Sequence, residues 1–114
     1  MKIMAIHKTE EFGQKEQDLA AFAKAMSHPA RIAILKVLAQ KNECICGEIV
    51  EVLPLAQSTV SQHLKALKDA DLIKGTVDGP KSCYCINWKA FEKFNDAFSS
   101  LFSKLKEQNK KACC

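Results

Sequence analysis

The sequence predicts a mainly α, single-domain fold: four helices, then a small two-stranded hairpin, then a long last helix (α-α-α-α-β-β-α). Three observations carry this. Apolar residues recur at three- and four-residue spacing through most of the chain. Strand-like alternation is confined to two short segments flanking Asp78-Gly79. A length of 114 residues suits one modest core, and two are not expected.

Each element follows in order. Residues 1–8 read as an arm. From Glu10 to Met26, Phe12, Leu19, Phe22, Ala23 and Met26 mark a first helix. Ser27-His28-Pro29 interrupts it. Pro29 suits the first turn of a second helix, roughly 29–40, with Ser27 or His28 near its cap. Ile32, Ile34, Leu35, Val37 and Leu38 are its apolar residues. After the polar break Lys41-Asn42-Glu43, the stretch Cys46 to Leu53 reads as a short helix ended by Pro54. Gln57 to Ala70 reads as the next helix, with Val60, Leu64 and Leu67 inward. Leu72 to Val77 and Ser82 to Trp88 form the hairpin. Tyr84, Ile86 and Trp88 share one face of its second strand; Cys83 and Cys85 share the other. The final helix runs over about 89–110. In it Phe91, Phe94, Phe98, Leu101 and Leu105 repeat at 3-4-3-4 spacing, a seam suited to the first helix and to a second copy of the chain.

Composition excludes several classes. Apolar residues are 47% and charged residues 26%, as in an ordinary globular domain rather than a disordered or fibrous chain. No apolar run reaches about 18 residues, and the N-terminus has no h-region of signal-peptide length. A cytoplasmic protein without membrane contact is expected. The net charge of +4 permits nucleic acid as a partner without requiring it.

A short helix, a tight turn, a polar-faced helix and a hairpin together make a winged helix-turn-helix. The whole chain, 1–114, is one such domain. Its helix-turn-helix spans about 46–70, its wing about 72–88, its dimerisation helix about 89–110 and its cysteine-containing tail 111–114. The helix over Gln57 to Ala70 presents Gln57, Ser58, Thr59, Ser61, Gln62, His63 and Lys65. Amides pair bidentately with adenine in the major groove, and hydroxyls reach bases or phosphates. Lys81, with Lys74 and Lys89, adds phosphate contacts from the wing region. A solvated polar helix face is the bland reading of the same residues.

Ser27-His28-Pro29-Ala30-Arg31-Ile32-Ala33-Ile34-Leu35, the stretch Gln57 to Leu67, and Asp78-Gly79 before Tyr84 resemble the ArsR (ArsR/SmtB) winged-helix repressors. The resemblance covers roughly residues 17–90. It implies a homodimer, joined through the N- and C-terminal helices, on a palindromic double-stranded operator that is released when a ligand binds. The family's wing has Gly-Arg after its turn; here Gly79-Pro80-Lys81 removes that forked phosphate donor.

Six cysteines fall in three pairs: Cys44/Cys46, Cys83/Cys85 and Cys113/Cys114. In a reducing compartment such pairs point to soft-metal or thiol redox chemistry. Cys44-Ile45-Cys46 resembles the Cys-Val-Cys motif of the family's arsenite and cadmium sensors. Residues two apart on a helix point about 200° from each other, so both thiols grip one ion only if the backbone is extended there. Trivalent arsenic or antimony takes three thiolates; cadmium, lead or zinc takes four ligands. The third ligand comes either from the tail, Cys113 and Cys114, which ranks first, or from Cys83 and Cys85. The last helix lacks the Asp/His pairs that zinc sensors of the family carry there. No resident cofactor is needed, with As(III), Sb(III) or another soft ion as inducer. The alternatives are a thiol redox-sensing repressor, a Cd(II), Pb(II) or Zn(II) sensor, and a metal-buffering protein without sequence-specific DNA binding. No enzyme is expected, because no basic partner for a nucleophilic cysteine, no phosphate loop and no acid pair is present.

Overall fold

The computed structural model describes residues 12–41, 45–46, 53–78 and 81–109. Helix α1 (Gln14–Ala25) carries Glu16 in its first turn and Lys24 in its last, both matched to the helix dipole. The Gln17 side-chain amide donates to the Phe12 carbonyl at 2.8 Å and fastens the entry. Helix α2 (Pro29–Lys41) begins at Pro29, whose missing N–H would have been unpaired in a first turn anyway. His28 is the cap: its Nδ1 accepts from the Ala30 N–H at 3.0 Å, and its carbonyl accepts from Arg31 N–H at 2.9 Å. Ser27 instead turns back, its hydroxyl donating to the Lys24 carbonyl at 2.7 Å.

Strand β1 (Ile45–Cys46) is a correction to the sequence reading, which put Cys46 on the first turn of a helix. Extended backbone lets this short segment pair antiparallel with the wing, Ile45 opposite Tyr84 and Cys46 opposite Cys83. Residues 47–52, where the short helix was expected to continue, lie outside the described residues, as does Cys44.

Helix α3 (Gln57–Asp69) ends in a Schellman closure. The Leu72 N–H donates to the Leu67 carbonyl at 3.0 Å and the Asp71 N–H to the Lys68 carbonyl at 2.9 Å. Asp71 takes the left-handed position with φ 62°, where glycine is the usual occupant. The Asn87 amide donates to the Asp71 carbonyl at 2.8 Å, tying this corner to the far end of the wing.

Strands β2 (Ile73–Asp78) and β3 (Lys81–Ile86) form the wing in the register Ile73–Ile86 to Asp78–Lys81, and the sheet order is β1-β3-β2. Gly79 and Pro80, the expected turn, are outside the described residues. Gly75 sits opposite Tyr84, and a Cβ there would collide with the tyrosine ring. Helix α4 (Trp88–Glu107) follows Asn87. Trp88 therefore opens a helix and is 54% exposed, rather than sharing a strand face with Tyr84 and Ile86. Strand geometry stops at Ile86 because the backbone after Asn87 turns helical: the Ala90 and Phe91 N–H groups both donate to the Asn87 carbonyl.

The core lies where α2, α3 and the sheet meet, built from Ile34, Leu38, Val60, Leu67, Leu72 and Ile73, with Tyr84, Ile86 and Phe91 packed on its margin. Burying each large aliphatic side chain contributes roughly 1.5–3 kcal/mol. Helix α1 is held mainly against α4, where the Phe22 and Phe94 rings meet edge-on at 5.3 Å. No described helix is long and apolar enough to cross a membrane.

Candidate functional site

Helix α3 divides cleanly. Val60, His63, Leu64 and Leu67 face the core, whereas Gln57, Ser58, Ser61, Gln62, Lys65 and Lys68 are exposed and Thr59 is half-buried. From Gln57 to Lys65 the rise is about 12 Å, comparable with the width of a B-form major groove. Asp69 is exposed at the far end of the same face, where its carboxylate would repel phosphate. The polar face is thus most suited to nucleic acid over its first two turns. Lys74 on β2 and Lys89 at the start of α4 are exposed; Lys81 is the first residue of β3, across from Asp78.

His63 departs from the outward set to which the sequence reading assigned it. It is only 9% exposed, and its ring packs on His28 with centroids 4.5 Å apart. Its Nδ1 accepts from Arg31 Nε at 3.2 Å, while Arg31 Nη1 reaches the Ala25 carbonyl at 3.2 Å. Burial holds the His63 pKa below its usual 6.5, and the adjacent His28 and Arg31 charges add to that shift. Arg31 therefore bridges the end of α1 and the inner side of α3, a positioning role the sequence reading did not assign. The signals were present: His63 falls three residues after Val60 and four before Leu67, on the apolar stripe, and Arg31 is a cation in an otherwise apolar helix turn.

The three cysteines among the described residues, Cys46, Cys83 and Cys85, lie on the sheet. β3 alternates, so Tyr84 and Ile86 turn to the core while Cys83 and Cys85, both half-buried, share the opposite face. Cys46 stands directly across from Cys83 in the β1–β3 ladder. Lys74 stands directly across from Cys85 in the β2–β3 ladder. Cys83 is disulfide-bonded. Among the described residues, no group of three or more His, Cys, Asp or Glu side chains stands ready-made around a metal ion. Cys113 and Cys114 lie outside the described residues.

A second surface is apolar. On α4, Phe98, Leu101, Phe102 and Leu105 are exposed, as is Phe12. Stacked and edge-on contacts link Phe94, Phe98 and Phe102 into one row of rings.

Comparison with known proteins agrees with this architecture. Residues 28–74 match the family described as bacterial regulatory protein, arsR family. The chain is 33% identical over 90 residues to the HTH-type transcriptional regulator YgaV of Escherichia coli (strain K12), covering 79% of this chain and 84% of that protein. It is 30% identical over 79 residues to the arsenical resistance operon repressor of Staphylococcus xylosus, covering 69% of this chain and 75% of that protein. A solved ArsR-like transcriptional regulator from Rhodococcus sp. RHA1 superposes with a TM-score of 0.67 at 19% identity, over 82% of this chain and 87% of that one, and shares the fold. These relatives are transcriptional regulators and repressors rather than enzymes. The chain belongs to the ArsR family of bacterial regulatory proteins and is a winged helix-turn-helix, DNA-binding transcriptional repressor.

Proposed function

We propose that this repressor releases its operator when a thiophilic ion, As(III) or Sb(III), is bound by cysteine thiolates that include Cys44 and Cys46. The observation that carries this reading is the pairing of Cys46 with Cys83, at the strand that leads toward the helix-turn-helix. An ion held there acts on the strand that precedes the helix-turn-helix in the chain. Thiolates select soft ions over the harder magnesium and calcium.

In the repressing state Gln57, Ser58, Thr59, Ser61, Gln62 and Lys65 meet the major groove, and Lys81 meets the phosphate backbone. His63 acts from within, holding α3 through Arg31. Two copies of the chain join through α1 and α4, covering Phe98, Leu101, Phe102 and Leu105, and read the two halves of a palindromic operator in the cytoplasm. The tail cysteines, Cys113 and Cys114, remain candidates for a further ligand. An allosteric coupling of about 1–3 kcal/mol corresponds to a 5–150-fold loss of operator affinity.

Titrating the operator complex with arsenite at about 150 mM salt tests this. Wild type is expected to release DNA, and Cys44→Ser to stay bound; unchanged release by that variant refutes the assignment. One observation favours a second reading, thiol redox sensing: Cys83 is already disulfide-bonded. Release of DNA by peroxide or a disulfide, with no response to arsenite, would establish it.

A further inference from the structure

We infer that the wing supplies the missing ligand of the thiophilic-ion site, with Cys83 of β3, flanked by Cys85, completing the thiolate set to which Cys46 of β1 belongs. This rests on the ion-sensing reading above and identifies where its missing ligand comes from. Directly opposed residues of an antiparallel ladder lie on the same face with Cβ atoms about 4.5–5.5 Å apart, and diagonal neighbours remain within reach of side chains. Cys46 and Cys83 are opposed, and Cys85 is the diagonal neighbour on that face. A soft ion with bonds of about 2.3 Å to sulfur holds its sulfurs roughly 3.5–4 Å apart, a span that cysteines at these register positions can close. The disulfide at Cys83 is independent support, because it shows that a second thiol reaches this sulfur.

The surroundings suit a thiolate cluster. Tyr84 and Ile86 pack on the core side of β3, and Cys83 and Cys85 share its other face. Lys74, exposed and opposite Cys85, brings a positive charge to the face where three thiolates would otherwise repel one another. Ion binding begins from the reduced protein. A cellular dithiol gives two electrons and two protons to the disulfide, yielding two thiols and its own disulfide. Arsenous acid then exchanges its three hydroxides for three thiolates, and the three thiol protons leave within three waters. The product ties β1 to β3, so the ion would set the position of the wing as well as the entry to the helix-turn-helix.

The test uses the full chain, reduced with a phosphine and loaded with arsenite. Arsenic K-edge absorption is expected to count three sulfurs in wild type and in the C113S/C114S variant, and two in the C83S/C85S variant. Three sulfurs in C83S/C85S would overturn the inference. A measurement without substitutions guards against misfolded variants: alkylation of wild type mapped by mass spectrometry. Arsenite is expected to protect Cys46 and at least one of Cys83 and Cys85; alkylation of Cys83 and Cys85 at their ion-free rates would overturn the assignment. The two readings fail separately. Three-sulfur arsenic with no DNA release refutes ion sensing and keeps the ligand set, whereas release retained with Cys83 and Cys85 unprotected does the reverse.

Discussion

Replacing Arg31 by methionine removes the link between α3 and the end of α1 while keeping most of the apolar stem that packs beneath it. Two bonds are lost, Nε to His63 Nδ1 and Nη1 to the Ala25 carbonyl, each at 3.2 Å and part-buried. A hydrogen bond from a charged donor contributes about 1.5–3 kcal/mol. Both bonds are long, and Arg31 is only half-buried, so the lower end applies and water screens part of it. The expected loss is about 2 kcal/mol. For a domain of this size that corresponds to a fall of roughly 6–10 °C in melting temperature. The assay is urea unfolding followed by circular dichroism at one fixed protein concentration, run as a double-mutant cycle with His63→Phe. The cycle should return a coupling of about 1 kcal/mol. A destabilisation below about 0.5 kcal/mol, or additive single effects, would refute the view that this bridge positions α3.

Acid should weaken the fold through the same residue. Burial depresses the His63 pKa in the folded chain, so as pH falls below 6.5 the unfolded chain binds the proton first. The stabilisation is complete above that value and is lost as pH falls through the depressed one; urea midpoints at pH 7.5 and 5.5 should differ by less in His63→Phe than in wild type. Asp71→Gly should raise stability by about 0.5–1 kcal/mol, measured by thermal melting, because a left-handed φ of 62° suits glycine and the carbonyl bonded by Asn87 is kept. Gly75→Ala should cost about 1–3 kcal/mol in urea unfolding, since the new methyl displaces Tyr84 from the core margin. If two copies join as proposed, Phe102→Glu with Leu105→Glu should leave a monomer in analytical ultracentrifugation, since both side chains are exposed on α4.

Local pattern carried much of this molecule. The spacing of Val60, Leu64 and Leu67 located α3 and its polar face, and Pro29 located the start of α2. Asp78-Gly79 located the wing, whose strands match the expected segments to within two residues. Where the pattern was read too coarsely, the signal was still local. His63 belongs to the inward stripe by its spacing, and Trp88 follows the residue at which the backbone turns helical.

The chemistry of the cysteine face was another matter. A sequence states that six thiols come in three pairs, and that residues two apart share a face only on extended backbone. By itself it determined the fold class and the polar face of α3, and it raised soft-ligand chemistry as an expectation, because these depend on periodicity and residue type over a few turns. Only the tertiary structure decided that Cys46 pairs with Cys83, that Lys74 stands opposite Cys85 and that Arg31 reaches His63. Those are contacts between distant segments, and their register is set by the whole core closing at once rather than by any local preference.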